Sequence, residues 1–195
     1  MQKETKKPPR LIIRPATVIF FSLLILLDKS ALSFLPLAAA LCHELGHLAV
    51  MLMLGVPVRQ VELTVFGAEI RTSHMAVGAA GAAAIYAAGA VANLLSAVGV
   101  LCIRPPTLEA EFFVVCSISL AFLNLLPIRT LDGGCILEII VSHIAPSHMT
   151  VIVDVISSAA LFFLWIAAVH LILVCGGNLS LMLFCLYLFV TLYLK

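Results

Sequence analysis

Apolar runs of helical length, separated by short polar breaks, dominate the chain. They cover residues 12–27, 31–54, 75–103, 112–126, 149–175 and 179–194, after a polar, basic stretch at 1–11. Charges, prolines or glycines end most of them: Asp28-Lys29-Ser30, Arg104-Pro105-Pro106, Pro127 and Gly176-Gly177-Asn178. A bilayer-spanning helix needs about 20 such residues. The pattern predicts one polytopic domain over residues 1–195: an all-α membrane protein with six transmembrane helices. The first run is not read as a signal peptide, because Asp28-Lys29 follows it directly in place of a small-residue cleavage site.

Two stretches depart from plain apolarity. Gly55–His74 is polar, and Val56, Val58, Val61, Leu63 and Val65 alternate imperfectly with Arg59, Glu62 and Thr64 before Gly67. Period-two alternation with a glycine suggests a short β-hairpin-like segment between helices two and three, with an irregular loop as the alternative. The third run is rich in small residues, Gly78–Ala84 and Ala87–Ala90, which allow close helix packing. Cys135–Ala145 reads as a short amphipathic piece before Pro146.

Composition sharpens the reading. Hydrophobic residues make up 63% and charged residues 11%, with mean hydropathy +1.20. Soluble domains carry about 25% charged residues. The net charge of +1 gives no basic excess, so no nucleic-acid partner is expected; the expected surroundings are the lipid bilayer. The six cysteines form no CxxC pair and read mostly as small membrane-buried apolar residues, with a thiol ligand as the lesser alternative at Cys42.

Basic residues set the orientation. With six spans, one side holds Lys3, Lys6, Lys7, Arg10, Arg14, Arg59, Arg71, Arg129 and Lys195, and the other only Lys29 and Arg104. The positive-inside rule puts both termini, and the hairpin-like segment, at the cytoplasmic face of a cell membrane.

The second run carries His43-Glu44-Leu45-Gly46-His47, an H-E-x-x-H motif. On a helix the two histidines sit about 40° apart, one turn separated. That spacing lets two imidazole nitrogens reach one Zn²⁺. Glu44 is then placed to hold a water without being a ligand itself. Ionisable side chains within a spanning helix are costly unless they are used. His47 lies about 10 Å from the cytoplasmic end of its helix, at 1.5 Å per residue.

A catalytic zinc takes three protein ligands. The candidates for the third are Asp132, Glu138, Asp154 and His170. Asp132 follows the Pro127 break and precedes Gly133-Gly134, which permits close backbone approach. It reads equally as a ligand or as a turn residue. Asp154 is expected to be solvated or paired with His148.

HELGH at 43–47 followed by N-x-x-P-x-x-x-L-D-G-G at 124–134 resembles the site-2 protease family of intramembrane zinc metalloproteases. It looks most like the six-helix group that includes the sporulation factor IVFB, which processes pro-sigma-K. The resemblance implies that His43, His47 and Asp132 hold zinc, that Glu44 is the general base, and that Asn124 helps hold the substrate or the oxyanion. It also implies a bacterial, multi-pass membrane enzyme. Its substrate would be a membrane-bound or membrane-associated precursor, a sporulation sigma factor in the sharpest version, and membrane inhibitor proteins would be possible partners. Some positions depart from the family pattern. Gly89-Ala90-Val91-Ala92-Asn93 has Ala90 where the family often has Pro, and Leu125 follows Asn124 where Pro is frequent. No PDZ or nucleotide-sensing CBS domain is expected. The competing readings are an ion or metal transporter using the same His, Glu and Asp groups, and an inactive protease-like binding protein. Against the transporter, no inverted repeat is visible in the sequence.

Overall fold

The structure, a computed structural model, describes residues 10–13, 15, 22, 32, 34–64, 67–72, 77–103, 107–175 and 180–193. Most of the first apolar run, 12–27, lies outside them, as do nearly all of the basic tail, the 28–30 break, His74, Lys29, Arg104 and Lys195. The described chain is mostly helical and divides into two compact units, Met1–Ala121 and Phe122–Lys195.

In the first unit, helix α1 (Phe34–Met53) and helix α2 (Ala79–Ile103) form an antiparallel pair. His47 bonds to Ile85 near one end of the contact, and His43 reaches Asn93 further along. Small residues set the approach. A Cβ on Gly46 would stand 2.5 Å from the Ala88 carbonyl oxygen and 2.6 Å from Ala92 Cβ, so only glycine lets the backbones meet there.

The end of α1 is closed by its own backbone. Gly55 turns left-handed (φ 68°), the Gly55 N–H donates to Leu52 O at 3.1 Å, and the Val56 N–H donates to Met51 O at 2.9 Å. This is a Schellman cap. Val56 then packs with Met51 and Ile85, which ties the helix end to α2.

Between the two helices the backbone forms strands β2 (Val58–Thr64) and β3 (Gly67–Thr72), paired antiparallel with an irregularity between Val58 and Gln60. Strand β1 (Arg10–Ile13) pairs parallel with β2, giving the sheet order β1-β2-β3. A transmembrane helix was expected to start at Ile12, but Ile12 and Ile13 are strand. The apolar run begins with two β-branched residues, which suit a sheet edge as well as a helix.

Helix α3 (Leu108–Asn124) begins four residues before the apolar run predicts. Thr107 opens it: its hydroxyl accepts from the Ala110 N–H at 3.3 Å, and its carbonyl accepts from the Glu111 N–H at 2.9 Å. Glu109 and Glu111 fall in the first turn, where the helix dipole favours acidic side chains, so their polarity does not delay the helix.

The second unit holds helices α4 (Asp132–Ile144), α5 (Met149–Cys175) and α6 (Ser180–Tyr193), with a short 3₁₀ turn at Pro146–His148. Its core is Ile128, Leu131, Leu161, Ala168, Cys185 and Leu188. Helix α4 begins at Asp132, three residues before the predicted amphipathic piece. The α5 bounds coincide with the fifth apolar run.

Among the described residues, three helices are long and apolar enough to cross a membrane: Phe34–Met53, Ala79–Ile103 and Pro146–Val174. A shorter apolar helix covers Leu181–Tyr193. Large apolar side chains stand exposed along them, among them Leu52, Met53, Leu95, Phe163 and Leu173. Water does not tolerate apolar faces of that extent, and lipid does.

Candidate metal centre

Helix α1 turns His43 and His47 towards α2, and both are buried, at 4% and 8% exposure. Their Nε2 atoms lie 3.1 Å apart. The rings meet edge-on, with planes at 82°. Two nitrogens bound to one tetrahedral zinc at the usual bond length are about 3.3 Å from each other. The pair therefore matches two corners of such a site.

Helix α2 holds the far side of each ring. His47 Nδ1–H donates to the Ile85 carbonyl at 2.7 Å, which leaves His47 Nε2 without a proton in the neutral ring. Asn93, fully buried, places its amide 3.3 Å from His43 Nδ1. Such outer partners on a carbonyl or amide are typical of histidines that bind metal. Ile85, Gly89 and Asn93 repeat every four residues, so one face of α2 supplies both contacts and the gap between them.

Gly89 is that gap. A Cβ there would stand 2.5 Å from His47 Nε2 and 2.6 Å from His43 Nε2. The space beside the two nitrogens thus exists only because position 89 has no side chain. A bare nitrogen on His47, the Nε2 spacing and the cradle against Gly89 fit a zinc ion. Gly89→Ala is expected to push the imidazoles off this geometry. Detergent-purified Gly89→Ala protein should hold zinc about 100-fold more weakly, the scale of a misplacement near 1 Å. Wild-type zinc affinity in that variant would contradict the packing described.

Glu44 sits on the same turn of α1, half-buried and engaged by other groups of the protein. Cys42, one position before the motif, is half-buried.

In the second unit, Asn124 ends α3, and Pro127 lies in the loop that follows. The loop is knit by its own backbone: Ile128 N–H to Leu126 O at 2.7 Å and Leu131 N–H to Ile128 O at 2.8 Å. It folds back onto the first turn of α4. A Cβ on Gly133 would collide with the Leu125 carbonyl, and one on Gly134 with the Ile128 carbonyl. This is the close approach that the glycine pair predicts. It fixes the turn that carries Asp132, a half-buried first residue of α4 at the positive end of the helix dipole.

The other acids of this unit are committed elsewhere. Arg129 Nη1 donates to Asp154 Oδ1 at 2.7 Å, and Nη2 reaches Glu138 Oε1 at 3.4 Å. The Arg129 backbone N–H donates to Ser157 Oγ at 3.0 Å. Asp154 therefore pairs with Arg129 and not with His148, whose Nδ1 meets the Ser147 hydroxyl. His143 Nδ1 bonds to Ile139 O within its own helix, and His170 is exposed on α5.

Gly89 and Asn93 were not predicted as functional positions. Gly89 reads as packing in a helix full of small residues. The signal available was the four-residue spacing of Gly89 and Asn93, which puts an amide and a gap on one face.

Residues 107–168, from the threonine before α3 to well into α5, match Peptidase family M50. Among solved structures, the chain is similar to a site-2 protease from Methanocaldococcus jannaschii. Identity is 20% and the TM-score 0.67, over 95% of this chain and 89% of that one. No curated protein sequence matches the chain. The fold is that of a site-2 protease.

Proposed function

We propose that the chain is an intramembrane zinc metalloprotease. The observation that carries this reading is the buried His43–His47 pair, Nε2 to Nε2 at 3.1 Å, with each ring backed by α2. The M50 match and the site-2 protease fold support it. His43 and His47 would hold the ion, and Asp132 would be the third ligand. The resemblance of the 124–134 segment supports Asp132, as does the engagement of Glu138 and Asp154 by Arg129.

A bound zinc supplies a Lewis acid for the scissile carbonyl and lowers the pKa of its water. The chain's residues do the rest. Glu44 accepts a proton from the attacking water and delivers it to the leaving amine. Gly89 keeps side chains away from the reacting space. Asn124 holds the substrate backbone or the developing oxyanion. Among the described residues the ladder order leaves β3 at one edge of the sheet, and an unwound substrate segment pairs there as an added strand.

The wider reading extends the same proposal. The chain crosses a bacterial cell membrane six times with both termini in the cytoplasm, and cleaves a membrane-bound or membrane-associated precursor near the cytoplasmic face. A sporulation sigma-factor precursor is the sharpest substrate, under the control of membrane inhibitor proteins. Motif order and the distribution of Lys and Arg support this extension. Co-expression of candidate membrane precursors with wild-type and Glu44→Gln protein tests it. Cleavage only with wild type is expected, and precursors left uncut by wild type would overturn it.

A further inference from the structure

Asn93 is fully buried, at 0% exposure, and half of its amide has no partner. Nδ2 lies 3.3 Å from His43 Nδ1, while Oδ1 is a buried acceptor without a hydrogen bond. A buried carbonyl left unpaired is costly. Apart from Ser96, whose hydroxyl donates to the Asn93 backbone carbonyl, the α2 residues within a turn of this position are alanine, glycine and aliphatic, so an asparagine there needs a reason.

The chemistry of His43 supplies it. A neutral imidazole carries one proton, on Nδ1 or on Nε2. If the Asn93 NH₂ faces Nδ1, it donates to the Nδ1 lone pair, and the ring proton must sit on Nε2. That form of His43 cannot offer Nε2 to a metal. If the amide is turned over by a half-turn about its last torsion, Oδ1 faces Nδ1 and accepts its proton, and Nε2 is bare. The two ends of an asparagine amide have the same shape, so both orientations fit the same pocket. His47 already shows the required pattern, Nδ1–H to the Ile85 carbonyl.

We propose that Asn93 is a positioning residue for the metal centre: through Oδ1 it accepts the Nδ1–H of His43, and so fixes that ring with Nε2 directed to the ion. The inference rests on the metal reading above and adds to it a residue on a helix that carries no ligand. Asn93 and the Ile85 carbonyl then do the same task for the two histidines, eight residues apart on one face of α2.

The test is zinc affinity of detergent-purified protein, measured by competition with a chelator of known affinity, in wild type, Asn93→Leu and Asn93→Asp. Leucine keeps the volume and removes the acceptor. Aspartate keeps an acceptor and removes the donor. The expected result is a 10- to 100-fold weaker affinity for Asn93→Leu, the usual scale for losing an outer partner of a ligand. Asn93→Asp should stay close to wild type. Equal affinity in wild type and Asn93→Leu, or equal loss in Asn93→Leu and Asn93→Asp with both folded, overturns the role of Asn93. A wild-type protein that binds no zinc overturns the metal reading itself. A measurement on wild type alone covers the case in which a variant fails to fold: nitrogen-15 NMR of the histidine rings in zinc-loaded protein. A protonated Nδ1 on His43 with metal on Nε2 is expected, and metal on Nδ1 would overturn the proposal.

Discussion

Glu44→Gln protein should fold, keep its zinc and lose cleavage by about 10²–10⁴-fold, the contribution of a positioned general base. Gln has the shape of Glu and differs in the one property the role needs, a carboxylate that can take a proton. Glu44 follows His43 directly on α1 but does not share the face that His43 and His47 turn to α2. The two imidazoles and their bonds to Ile85 and Asn93 do not pass through it. Zinc content and thermal unfolding therefore serve as internal controls. The measurement is the fraction of a tagged, co-expressed membrane precursor cut by each protein. Full cleavage by the variant would remove Glu44 from the chemistry. A transporter using the same groups would show no cleavage with either protein.

The second large effect is expected at Asp132. Asp132→Asn removes the charge of the proposed third ligand and should weaken zinc binding by at least about 100-fold, more than the loss of an outer partner. Glu138→Gln and Asp154→Asn should leave zinc binding near wild type, since both acids pair with Arg129. Those two variants should lower stability modestly, by about 1 kcal/mol or less, as exposed ion pairs do. Metal retention during dialysis, compared across the three variants, separates them. Loss of zinc from Glu138→Gln or Asp154→Asn with retention in Asp132→Asn would move the third ligand.

How much of this was legible in the sequence depends on the range of the interaction. The His43–His47 pair is local: a four-residue spacing on a helix puts both rings on one face, and neutral apolar surroundings make the helix certain. The glycine pair after Asp132 is local as well, since two residues without Cβ announce a close backbone contact. Arg129 is different. Its partners Glu138 and Asp154 lie on two helices, and only packing decides that Asp154 turns to Arg129 and not to His148. The early start of α3 was hidden because apolarity was used as the marker, and the Glu109–Glu111 turn is polar for a reason of its own. Helix α2 hid most. Its small residues occur on every side, so no stripe marks the face that carries Ile85, Gly89 and Asn93. Only the packing of α1 against it defines that face.

Zinc content per chain, measured by elemental mass spectrometry on protein purified without added metal, tests the central claim most directly. The account predicts about one zinc per wild-type chain, the number one tetrahedral site takes, and essentially none in the His43→Ala/His47→Ala double variant. Wild-type protein devoid of zinc, or a double variant that still carries it, would contradict it.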